Sequence, residues 1–127
     1  MLTGIDTSFF YALAAGRPLA VAAWESRELV TSALCFFELR KRALKGDLKA
    51  WPTVLDDIAK AVQVVPLTVA AALQAARIAH GTGMPAFDAL IVSSLAEAGC
   101  TEVLTLDHHF NLFVKRGMKI ILLGEPS

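Results

Sequence analysis

At 127 residues the chain has room for one domain with a core of ordinary size and not for two. Its 55% hydrophobic content against 19% charged residues points to a tightly packed interior or a surface buried in an oligomer. Arg17, Glu25, Arg27 and Glu38 nevertheless break the apolar runs short of the roughly 18 residues of a membrane span, and 12 basic against 12 acidic side chains exclude a global positive field, leaving any nucleic-acid contact to local patches.

The first predicted strand, Leu2–Ile5, follows the initial Met directly; without a basic leader or cleavage site, a soluble, cytoplasmic protein is the expectation. Further short apolar runs read as buried strands at Leu29–Thr31, Val62–Val65, Val103–Leu106 and Lys119–Leu122, with helical apolar spacing between them. The clearest helices are Ala70–Ala79 and Ala86–Ala98, separated by the stop signal Gly81-Thr82-Gly83-Met84-Pro85. In the second, Phe87, Leu90, Ile91, Ser94, Leu95 and Ala98 recur at three and four, giving one apolar stripe expected to cover the sheet, with Gly99 as its stop. Strands joined through helices favour a parallel α/β sheet, whose ligand chemistry gathers at the carboxyl ends of the strands. Residues 1–127 read as one domain ending in a loose tail at Gly124-Glu125-Pro126-Ser127. Cys35 and Cys100, far apart in apolar context, read as buried thiols rather than a zinc or redox pair.

The acids divide into two groups. Asp56 and Asp57 with Lys60, and Glu25 with Arg27 and Glu28, lie among opposite charges, as surface carboxylates do. Asp6 and Asp107 instead close the first and fourth strands; each either caps the helix that follows or faces a shared cleft at the sheet's edge. Glu38 enters the apolar stretch Leu34-Cys35-Phe36-Phe37-Glu38-Leu39, where an unpaired carboxylate is costly unless protonated, bound to a metal, paired with Arg42, or rotated into water. Asp88 follows Pro85-Ala86-Phe87 in a helix's first turn, where the helix dipole favours it, yet it flanks an apolar run.

At these residues the chain resembles the PIN-domain family in its small VapC-type toxin form. The resemblance rests on Ile5-Asp6-Thr7-Ser8, on Thr31-Ser32 leading to Glu38-Leu39, on Phe87-Asp88-Ala89-Leu90-Ile91 with Ala96, and on Leu104-Thr105-Leu106-Asp107 with Phe110. It implies a three-layer α/β/α fold with a mainly parallel sheet of about five strands. It also implies an endoribonuclease in which Asp6, Glu38, Asp88 and Asp107 hold one or two Mg²⁺ or Mn²⁺ ions, hard cations suited to oxygen ligands. Thr7, Ser8 and Thr105 are then expected to orient those carboxylates. The implied partners are an RNA substrate, a cognate antitoxin and a second copy of the chain.

His109 departs from the family pattern, standing where another acid is common; it or His108 is available to a metal or a phosphate, or is simply exposed. His80 reads as structural. Arg40, Lys41, Arg42 and Lys45 form the densest basic cluster and Lys115, Arg116 and Lys119 a second, suited either to an RNA backbone or to solvent. Trp24 and Trp51 either stack bases, fill an interface or pack the core. Rival readings are a PIN-like fold kept as a binding module without nuclease activity and a receiver-type signalling domain, the latter lacking its paired acids after the first strand. A dehalogenase-like phosphatase needs Asp-x-Asp where Asp6-Thr7-Ser8 stands.

Overall fold

The structure is a computed structural model that describes residues 1–124, so of the expected tail only Gly124 lies among the described residues. In chain order it contains β1 (Leu2–Ile5), α1 (Thr7–Ala14), α2 (Pro18–Ser26), β2 (Glu28–Ser32), α3 (Ala33–Leu44), α4 (Val54–Ala61), β3 (Gln63–Val65), α5 (Val69–Thr82), α6 (Ala86–Glu97), β4 (Glu102–Thr105), a 3₁₀ turn at His108–Leu112, and β5 (Lys119–Leu122). The strands form one sheet in the order β3-β2-β1-β4-β5, every pair parallel. The chain runs outward from β1 through β2 to β3, then crosses back to lay β4 and β5 on the other side. That reversal beside β1 is where such sheets open a crevice at their carboxyl ends.

Strand alternation sorts the core into two layers. Ile5, Leu29 and Leu104 point to one face, where they join Phe9 and Phe10 of α1, Ala20 and Ala23 of α2, and Ile58 of α4. Val30 and Val103 point to the other and meet Ala75 of α5 and Ile91, Val92 and Leu95 of α6. The result is α/β/α, with α3 spanning the edge: its Leu39 enters the first layer and its Cys35 the second. Cys35 and Cys100 are free and buried, and burial pushes both thiols up to about 11, so neither is a ready nucleophile.

Several expectations are corrected by packing. The runs near Val62–Val65 and at Lys119–Leu122 do form strands, but as β3 and β5 they are the sheet's two edges and are largely exposed rather than buried. The fourth strand begins at Glu102 and ends at Thr105, one residue earlier than the apolar run suggests. Helix α5 continues through Gly81 and Thr82 to a left-handed Gly83 at φ 77°, because a glycine inside a helix is tolerated while one in the left-handed region ends it. Helix α6 stops at Glu97, with Gly99 left-handed just beyond it. Its buried residues are Ala89, Ile91, Val92, Ser93, Ser94, Leu95 and Ala96, whereas Phe87, Leu90 and Ala98 are only partly buried. The single stripe fails because α6 is covered by the sheet on one side and α5 on the other, so nearly its whole circumference is interior. After Asp107 the chain forms only a 3₁₀ turn instead of a full helix.

Candidate active site

Four carboxylates from remote parts of the chain, Asp6, Glu38, Asp88 and Asp107, line one cleft of about 220 Å³, together with Thr7, Ser8, Tyr11, Arg42 and Ile91. Parallel pairing of β1 with β4, Ile5 opposite Leu104, brings Asp6 and Asp107 to the same edge of the sheet. Glu38 comes from the second turn of α3, which Ser32 starts by accepting the Leu34 N–H at 3.1 Å. Asp88 enters from the first turn of α6, after Pro85 at the N-cap.

Asp6 is almost fully buried and held on both oxygens. Ser8 Oγ donates to Oδ1 at 2.8 Å, Thr105 Oγ1 to Oδ2 at 2.8 Å, and the Phe9 N–H to Oδ1 at 3.1 Å. Asp6 therefore caps α1 and lines the cleft at once. Its carboxyl is pushed up to about 6 by burial, against the opposing effect of Thr105, Ser8 and the Phe9 N–H. The two strand ends are stitched together here, because Ser8 Oγ also accepts the Leu106 N–H at 2.8 Å and Thr105 Oγ1 accepts that of Asp107 at 2.9 Å. Thr7 donates to Glu38 Oε1, tying α1 to α3.

Asp88, Asp107 and His109 form the tightest group, with one ligand atom from each lying within 4.8 Å of the others. Asp107 caps the 3₁₀ turn by accepting the His109 N–H at 2.9 Å, and the same Oδ1 lies 2.9 Å from His109 Nδ1. Nδ1 is 3.9 Å from Asp88 Oδ2. Burial, then the charge and hydrogen bonding of Asp107, push the Asp88 carboxyl up to about 7. Burial thus disfavours the charged forms of Asp6 and Asp88, and a cation held between such carboxylates would offset that cost. Oxygen donors with one imidazole nitrogen fit a small divalent ion. His109 is thus drawn into the acidic group through its Nδ1, while its neighbour His108 is exposed and stacks on it at 4.6 Å between ring centres.

The other sequence candidates disperse. Of the basic cluster on α3, only Arg42 lines the cleft; Arg40, Lys41 and Lys45 line a separate groove with Phe37 and Leu44. Arg42 pairs with Asp47 at 3.6 Å. Lys115, Arg116 and Lys119 are exposed around the turn before β5. Trp24 and Trp51 pack edge-to-face at 6.2 Å against the α1 side of the core, and Trp51 Nε1 donates to Asp57 Oδ2 at 2.7 Å. His80 is exposed in the last turn of α5, away from the cleft lining. Tyr11 belongs to the cleft and escaped the sequence reading. The available signal was spacing: Thr7 and Tyr11 on α1, and Glu38 and Arg42 on α3, are pairs four apart that share a helix face.

A family model described as PIN domain matches residues 5–115. Among solved structures, VapBC2 from Rickettsia felis, bound to a DNA fragment from their promoter, is similar at a TM-score of 0.73 and 13% identity, covering 96% of this chain and 98% of that one. VapC20 of Mycobacterium tuberculosis, described as a sarcin-ricin loop cleaving toxin, gives 0.66 and 21%, covering 86% and 92%. DNA-bound VapBC from Salmonella typhimurium gives 0.68 and 19%, covering 97% and 99%. At these identities the likeness is one of fold. No curated protein matches the sequence.

Proposed function

From the premise that the chain belongs to the PIN-domain family, we propose that it is a Mg²⁺- or Mn²⁺-dependent endoribonuclease, the toxin of a toxin–antitoxin pair. The observation that carries this reading is the meeting of Asp6, Glu38, Asp88 and Asp107 in one cleft at the carboxyl edge of the sheet. Asp88 and Asp107 are the residues to hold an ion directly, with His109 close enough to join them or to orient Asp107. Asp6 and Glu38 complete the acidic wall, the first fixed by the hydroxyls of Thr105 and Ser8, the second by that of Thr7. When bound, such an ion supplies Lewis-acid stabilisation of phosphoryl charge and lowers the pKa of water near it. The chain's own contribution is to hold the carboxylates in register before substrate arrives, so that little reorganisation is needed in the reaction.

Two partners follow from the same reading. A cognate antitoxin is supported by structural neighbours that are toxin–antitoxin complexes, including one from Klebsiella pneumoniae. A homodimer is supported by the apolar side chains Val69, Leu73, Leu112 and Val114, which are exposed on and near α5. Among the described residues no helix is long and apolar enough to cross a membrane.

The deciding experiment is thermal unfolding in EDTA, Mg²⁺ or Mn²⁺, for wild type and the Asp6→Asn, Asp107→Asn double variant, paired with cleavage of an RNA panel. Ligand linkage stabilises by about 2.7 kcal/mol at a hundredfold excess over Kd. A metal-dependent shift and cleavage, both lost in the variant, are expected. Absence of any shift at millimolar metal, with no RNA cut, overturns the proposal in favour of a binding module.

A further inference from the structure

Tyr11 and Arg42 line the acidic cleft but take no part in holding its carboxylates. The ring of Tyr11 packs against the core layer of Phe9 and Phe10, while its hydroxyl is shielded from solvent and makes no hydrogen bond with any described residue. With no protein acceptor, this O–H is free to donate to a ligand atom that enters the cleft. Arg42 lines the same cleft, and its charge acts on the phenol. Its side chain is 60% exposed and lies 3.6 Å from that of Asp47, itself 49% exposed, a loose pair of the kind an incoming anion replaces at little cost. The charges of Arg42, Asp47 and Glu38 all act on the phenol, which places these groups around one another at the rim.

The surrounding chemistry selects the ligand. Asp6, Glu38, Asp88 and Asp107 present acceptors and negative charge, which repel an approaching phosphate. Arg42 is the sole Lys or Arg among the described residues lining the cleft, and Tyr11 adds an O–H donor to the same cleft. A guanidinium fork beside a hydroxyl matches the nonbridging oxygens of a phosphodiester. We propose that Tyr11 and Arg42 form a phosphate-binding pair that seats the RNA backbone in the cleft and so positions the bond to be cut. This rests on the ribonuclease reading above. It assigns the basic residues of α3 unequally: Arg42 reaches the reacting backbone, whereas Arg40 and Lys41 face a different groove.

The test uses a fluorescein-labelled single-stranded RNA oligonucleotide and the full chain. Cleavage kinetics are measured for wild type, Tyr11→Phe, Arg42→Gln and Arg42→Lys, and the same substitutions are placed in an Asp88→Asn background for binding by fluorescence anisotropy over a range of salt. Losing a hydrogen bond to a charged group predicts a KM raised roughly tenfold or more in Tyr11→Phe and Arg42→Gln, with a smaller change in kcat. Losing one phosphate contact predicts that Arg42→Gln lowers the slope of log affinity against log salt by about 0.7, and that Arg42→Lys restores the slope. The unfolding midpoint of Tyr11→Phe is expected to be unchanged or higher, because the hydroxyl removed has no protein partner, and this separates lost binding from lost structure. If wild type cleaves the RNA while KM, affinity and salt slope are unchanged in all three variants, the phosphate pair is overturned and the ribonuclease reading stands. If wild type neither cuts nor binds RNA, that reading falls and the pair with it.

Discussion

Asp6 is where the two sequence alternatives, helix cap and cleft acid, prove compatible. It caps α1 through the Phe9 N–H and also presents a carboxylate to the cleft, because a strand that runs straight into a helix leaves its last side chain at the sheet's edge. Replacing it by Asn keeps a capping oxygen and removes a charge that burial disfavours, so Asp6→Asn is expected to abolish RNA cleavage while raising the metal-free unfolding midpoint at pH 8, read by calorimetry in EDTA. A midpoint lowered by several degrees contradicts that electrostatic account. A second residue-scale constraint is Gly4 in β1. A Cβ there lies 3.0 Å from Leu95 Cδ1 and 3.2 Å from both Cys100 Sγ and Val103 Cγ2, so the glycine lets α6 approach the sheet. Gly4→Ala is predicted to destabilise by about 1–3 kcal/mol in urea unfolding, the range for overpacking a tight core.

At the scale of elements, the pairing of α5 with α6 explains both a success and a failure of pattern reading. Their sequences are rich in helix formers, so their existence was legible, but the face each buries depends on a neighbour that period alone does not name. The start of α5 is tied across to α6 by Thr68, which caps through the Ala71 N–H at 3.1 Å and donates to Glu97 at 2.7 Å. Thr68→Ala removes both, and a loss of about 1 kcal/mol is expected from denaturant melts. No change there means the cap is replaced by solvent. The same dependence on neighbours separates buried β1 from the exposed edges β3 and β5: their residue types are similar, and position in the sheet decides their exposure.

Over the whole molecule, the acidic cleft makes stability depend on pH and metal together. A carboxyl whose folded pKa lies above its unfolded value favours the fold at pH below that unfolded value and loses the advantage as pH rises through the folded one. Asp6, moved from 3.8 to about 6, thus withdraws up to about 3 kcal/mol as pH rises from well below 4 to above 6. Asp88, more exposed and moved to about 7, acts in the same direction. The metal-free protein should therefore melt at a higher temperature near pH 5 than near pH 8, and millimolar Mg²⁺ or Mn²⁺ should narrow that gap; a metal-free midpoint that rises across this window contradicts the assignment. The sequence by itself determined the alternating α/β plan, the strand ends that carry Asp6 and Asp107, and the oddity of Glu38, since those depend on local periodicity and the cost of an acid in an apolar stretch. Only the tertiary structure decided that Asp88 and His109 meet Asp107, that Arg42 alone of its cluster reaches the cleft, and that Tyr11 belongs there, because each depends on how helices remote in sequence are rotated and packed against one sheet.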